Sequence, residues 1–87
     1  MEKVTSTGRE TYNSQIGDCL ATYTKTITEN NVVINVGVTK NGESVYTCGY
    51  DQSGNRCNGG FRKFDAVTAE ERVSIVTQVM QDLNSIV

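Results

Sequence analysis

The strongest nucleophiles in this 87-residue sequence are its three cysteines, Cys19, Cys48 and Cys57. An odd number of thiols with no C-x-x-C spacing encodes neither a disulfide framework nor a dithiol motif, so the reading is three reduced thiols. Cys48 lies on the apolar side of an alternating segment and reads as a small core hydrophobe. Cys57 follows Arg56, whose charge would favour a thiolate, and it is the one candidate for a reactive thiol. The sequence contains no His. That removes the commonest general base, the usual partner of a Ser or Cys nucleophile and the commonest metal ligand. The acids form no dyad, because Glu70 and Glu71 are accounted for by a helix start and the others are scattered. The expectation is a protein that is not an enzyme, with no catalytic residue, no metal site and no cofactor.

The segment Asp51-Gln52-Ser53-Gly54-Asn55-Arg56 places oxygen-bearing side chains at alternate positions, as a calcium loop does. Its sixth position, however, is Arg56 where Gly is required, and its twelfth is Arg62 where a bidentate carboxylate is required. The same stretch is locally basic. Arg56, Arg62 and Lys63 occur with no acid among them, and Asn58-Gly59-Gly60 could curl its amides into an anion nest. Arg56, Asn58, Arg62 and Lys63 are therefore the candidate site for an anion or nucleic acid, with Phe61 and Phe64 available to stack on a base.

Three strands and a helix must position these residues. Val32, Ile34, Val36 and Val38 alternate with polar or small residues, and a second strand is expected from Ser44 to Asp51 after the Asn41-Gly42 turn. Matching the two apolar faces favours a three-residue bulged turn that pairs Thr39 with Glu43 and Val36 with Tyr46. Cys19 to Glu29 reads as the preceding strand, with a short turn at Asn30-Asn31 that sets Ile27 near Ile34, and Lys25 as the misfit on its inner side. Thr68-Ala69-Glu70-Glu71 is a capping box opening an amphipathic helix to Val87. Tyr12 and Ile16, four residues apart, predict a short N-terminal helix over 9–17, stopped at Gly17. Residues 52–64 read as a long Gly-rich connection.

The sum is one α+β domain over residues 1–87: a three-stranded antiparallel meander packed on one face by a C-terminal α-helix, with a possible short N-terminal helix. This order resembles the layout of double-stranded RNA-binding domains. The resemblance implies phosphate-gripping lysines at the start of the last helix, where this sequence has Glu70 and Glu71. A net charge of −2 supplies no general attraction for nucleic acid or anionic membrane. No apolar run reaches the roughly 20 residues of a membrane span and no leader is evident, so a cytoplasmic address and no membrane association are expected. The apolar arc of the helix looks wider than a three-stranded sheet can cover, and an edge strand exposes backbone groups. The functional expectation is accordingly a protein-interaction module that binds a protein partner or itself as a homodimer. Nucleic-acid or anion binding through residues 52–64 is the alternative.

Overall fold

A computed structural model describes residues 2–6 through their backbone and residues 8–87 in full. It contains strands β1 (Glu2–Ser6), β2 (Arg9–Ile16), β3 (Cys19–Ile27), β4 (Val32–Lys40), β5 (Glu43–Asp51) and β6 (Arg56–Phe61), then a 3-10 turn at Phe64–Ala66 and helix α1 (Ala69–Ile86). The strands form one antiparallel sheet in the order β1-β2-β3-β4-β5-β6, every strand pairing with its neighbour in sequence. The α+β class, the antiparallel meander and the C-terminal helix agree with expectation. The sheet is wider than the expected three strands, and the likeness to a double-stranded RNA-binding layout ends there.

Two segments differ from the expectation. Residues 9–17 form β2 and a turn, not a helix. Residues four apart share a face in either conformation, so Tyr12 and Ile16 did not discriminate; along β2 they face inward with Glu10 and Ser14. Gly17, at φ 58°, opens the two-residue turn into β3. The supposed connection 52–64 contains β6, paired from Arg56 opposite Asp51 to Phe61 opposite Tyr46.

The β4–β5 hairpin also differs from expectation. Asn41 and Gly42 take φ 53° and 82°, the signs of a two-residue type I′ turn, and Lys40 pairs with Glu43. The faces match nonetheless, because the register shifts between Val38 and Thr39 and leaves Val45 as an extra residue. Val38 then meets Tyr46, Val36 meets Cys48 and Ile34 meets Tyr50. The bulge sits within the strand, and Val45 and Tyr46 are both buried. At the other end a four-residue connection, 28–31, pairs Ile27 with Val32 and Tyr23 with Val36.

Helix α1 begins as its sequence demands. The Glu71 amide donates to Thr68 Oγ1 and the Thr68 amide to Glu71 Oε1, completing the capping box. Ile75, Val79, Leu83 and Ile86 are buried against Tyr23, Ile34, Val36 and Val38. Each such side chain contributes about 1.5–3 kcal/mol on leaving water. Three polar contacts from the sheet, one of them braced within the helix by Gln78, fix where the helix lies. Tyr23 Oη donates to Asp82 Oδ2 at 2.6 Å, and Gln78 Nε2 donates to Asp82 Oδ1 at 2.9 Å. The Lys40 ammonium donates to the Glu71 carboxylate at 2.9 and 3.1 Å near the N-terminus of α1. Lys25, the misfit of β3, donates to the Ile86 carbonyl at 2.7 Å, where a cation suits the negative end of the helix dipole.

Replacing Asp82 by Ala is expected to lower unfolding stability by about 3 kcal/mol, because the buried Tyr23 hydroxyl loses its acceptor. Asp82→Asn keeps an acceptor oxygen and should cost less. Urea denaturation of the three proteins measures the order, and an Ala variant as stable as the parent would contradict it.

Candidate functional site

The β5–β6 ribbon separates the residues of the basic segment onto two faces. Strand alternation puts Arg56, Asn58 and Gly60 on the outer face, opposite Asp51, Gly49 and Thr47, while Cys57, Gly59 and Phe61 face the side that carries α1. Arg62 continues the outer row, its Nε donating to Thr47 Oγ1 at 3.2 Å. Three of the four predicted site residues, Arg56, Asn58 and Arg62, thus share a face. Lys63 departs from them toward Glu43, with 4.0 Å between Nζ and Oε2. The amides of Asn58, Gly59 and Gly60 belong to a paired strand and not to an inward-curled nest, and neither glycine has positive φ.

Glycines shape both surfaces of this ribbon. On the outer face Gly49 and Gly60 floor a shallow, open depression of about 620 Å³, bordered by Asn35, Thr47, Asn58 and Arg62. On the inner face a Cβ at Gly59 would lie 2.6 Å from Tyr46 Oη, so the absence of a side chain lets the tyrosine ring close over β6. Phe61 packs on that ring at 4.7 Å between centroids and meets Phe64 edge-on at 6.2 Å. Arg72 lies 3.7 Å from the Phe64 centroid and donates to the Phe64 and Val67 carbonyls, which holds the 3-10 turn against α1.

Asp51, which suggested calcium, organises its own turn. Its Oδ1 accepts from Asn31 Nδ2 at 2.8 Å, Ser53 Oγ at 3.2 Å and the Gly54 amide at 3.4 Å. Asn31 Oδ1 in turn accepts from the Ser53 and Val32 amides, so one amide side chain ties the β3–β4 and β5–β6 connections together. The Asn31 donor, then the Gly54 amide and Ser53, with Arg56 at 3.9 Å, hold the Asp51 carboxyl below its ordinary range. Among the described residues no group of three or more His, Cys, Asp or Glu is placed to hold a metal ion.

The inner face offers a second surface. Helix α1 packs on β2, β3 and β4, Val45, Tyr46 and Cys48 of β5 are buried in the same core, and β6 lies at the margin of that cover. The helix flank toward β6 is apolar and open: Val73 is 67 % exposed, and Val76 and Met80 are each 37 % exposed. Phe61, Arg72, Val73, Val76 and Thr77 line a groove of about 310 Å³ between strand and helix. The excess width of the apolar arc was readable in the sequence. Its juxtaposition with β6 was not, because β6 reads as a loop. The alternation of Arg56, Asn58, Gly60 and Arg62 with Cys57, Gly59 and Phe61 is the signal that was present, masked by two consecutive glycines.

Cys48 and Cys57 also meet on this side. Their sulfurs are 3.6 Å apart, the first thiol buried and the second exposed. Burial, the contact with Cys57 and its charge push the Cys48 thiol up to about 11, a Tyr46 hydrogen bond opposing in part. Cys19 is buried elsewhere on the sheet near Lys40 and Glu71. No family model, curated protein or solved structure matches the sequence.

Because the Asp51 carboxyl is held below its unfolded value, its contribution to stability is present above about pH 4 and is lost as pH falls through the folded-state value. Asp51→Asn should therefore flatten the acid side of the stability profile. Thermal melts from neutral pH downward measure this, and parallel profiles for the two proteins would contradict it.

Proposed function

We propose that this chain is a non-enzymatic protein-interaction module that receives an apolar partner surface in the groove between α1 and β6, with a second copy of itself as the simplest partner. The observation that carries the reading is the open flank of Val73, Val76 and Met80 beside the half-buried Phe61. Contiguous apolar surface next to a groove is the property by which protein contacts are distinguished from ordinary surface. Strand β6 reinforces it, since an edge strand carries outward backbone donors and acceptors that another strand can pair with. Asn58, Gly59 and Gly60 present little side-chain bulk there, so a second backbone can approach closely. Self-association is favoured because one contact removes this surface from water on both copies. An odd set of three cysteines without a disulfide spacing supports a reducing compartment such as the cytoplasm as the address. No helix among the described residues is long and apolar enough to cross a membrane.

A second reading is supported by the outer face. Arg56, Asn58 and Arg62 stand in one row, with Asn58 and Arg62 bordering the depression over Gly49 and Gly60, and guanidiniums along that row would suit a phosphate or carboxylate group. In that case the chain is retained on heparin in a salt-sensitive way and an Arg56→Ala, Arg62→Ala double variant loses retention.

Light scattering after size exclusion over a concentration series tests the first reading. The expected result is a mass rising toward twice 9.5 kDa, with Val73→Asp or Val76→Asp holding the chain monomeric. Both residues are exposed, so melting of the isolated monomer should move by no more than about 0.5 kcal/mol. A parent protein that stays monomeric up to millimolar concentration would rule out the self-associating form.

A further inference from the structure

We propose that Cys48 and Cys57 are a reversible thiol–disulfide pair, oxidised by exchange with a low-molecular-weight disulfide. The two residues lie on adjacent antiparallel strands, Cys48 opposite Gly59 and Cys57 opposite Tyr50, so they are diagonal neighbours on the inner face. Their sulfurs are already at 3.6 Å. A disulfide requires about 2.05 Å between sulfurs, so closure needs an approach of about 1.5 Å. Strand β6 can supply it. It is an edge strand held laterally only by β5, and it contains Gly59 and Gly60 with Gly54 in the preceding turn.

Unequal exposure gives the reaction an order. The accessible Cys57 thiolate attacks one sulfur of a small disulfide RSSR, forming Cys57–S–S–R and releasing RS⁻. Cys48 then loses its proton to solvent base and attacks Cys57 Sγ, which forms the protein disulfide and expels the second RS⁻. Two protein thiols and one RSSR become one protein disulfide and two RSH once the released thiolates are protonated, and excess RSH reverses the sequence. The second step is the slower one at neutral pH because the attacking thiol is buried, and its rate should rise with pH as more of that thiol ionises.

The test is incubation with oxidised glutathione, followed by acid quenching, alkylation and mass analysis. Trypsin cuts after Lys40, Arg56 and Arg62, which separates Cys48 in 41–56 from Cys57 in 57–62. The expected product is that pair of peptides joined by a disulfide, the intact chain lighter by two hydrogens, and Cys19 alkylated; reduced glutathione should restore all three thiols. Cys48→Ser should stop at one glutathione on Cys57. If that variant does not fold, the pH dependence of glutathione release from the parent protein reports the same step. A parent protein that halts at the Cys57 adduct, a disulfide between two chains, or no oxidation in excess glutathione disulfide would each overturn the proposal.

Discussion

One helix has to cover a sheet that is too wide for it. An α-helix with its side chains is about 10–12 Å across, while six strands spaced about 4.8 Å apart extend about 24 Å from first axis to last. The sheet can therefore be dry on its inner face only where the helix and the side chains around it reach, which takes in β2, β3, β4 and the Val45, Tyr46 and Cys48 stretch of β5 but not β6. The buried residues follow from this. Tyr23, Ile34 and Val38 are wholly enclosed under the helix, whereas β6 is exposed along nearly all of its length. The groove beside α1 and the accessible thiol of Cys57 are both outcomes of that mismatch.

Where the helix lies is set by polar contacts placed among the apolar ones. Hydrophobic burial is indifferent to a small slide of a greasy helix over a greasy sheet, but a buried hydroxyl is not indifferent to its acceptor. Tyr23 and Asp82 meet at 2.6 Å near the middle of the contact, and the Lys40 and Lys25 ammoniums meet opposite ends of α1. Both lysines sit on the inward row of the sheet, reached by stems that run along apolar surface. Glu71 serves twice, as the return half of the capping box and as the partner of Lys40; the Thr68 amide first and then the ammonium hold its carboxyl below the ordinary range.

What was legible in the sequence is what is decided locally. Val32 to Val38 alternates because one side of β4 is buried, and the Thr68-to-Glu71 box announces the helix because its hydrogen bonds span three residues. What was not legible is decided by neighbours distant in sequence. Tyr12 and Ile16 fit a helix or a strand equally, and only pairing with Tyr23 and Cys19 makes β2. Residues 56–61 have poor intrinsic strand preference, and β6 exists because β5 offers an edge and Tyr46 requires a bare backbone at Gly59. Lys25 breaks the alternation of β3 because its partner, the Ile86 carbonyl, lies 61 residues away in sequence. The placement of the basic residues was half legible for the same reason: strand alternation keeps Arg56, Asn58 and Arg62 on one face and sends Lys63 toward Glu43.

The extra residue at Val45 also sets the phase of the far side of the sheet. Every side chain beyond it on β5, and through pairing every one on β6, points the way it does because two consecutive residues, Val45 and Tyr46, are both turned inward. Excising that one residue would leave the Asn41-Gly42 turn intact yet reverse the ribbon beyond it. Tyr46, Cys48 and Tyr50 would face water, while the guanidinium row would be driven under the sheet. The chain is thus intolerant of a single-residue deletion at a position whose side chain is an ordinary valine, and tolerance to change along β5 is governed by counting and not by chemistry.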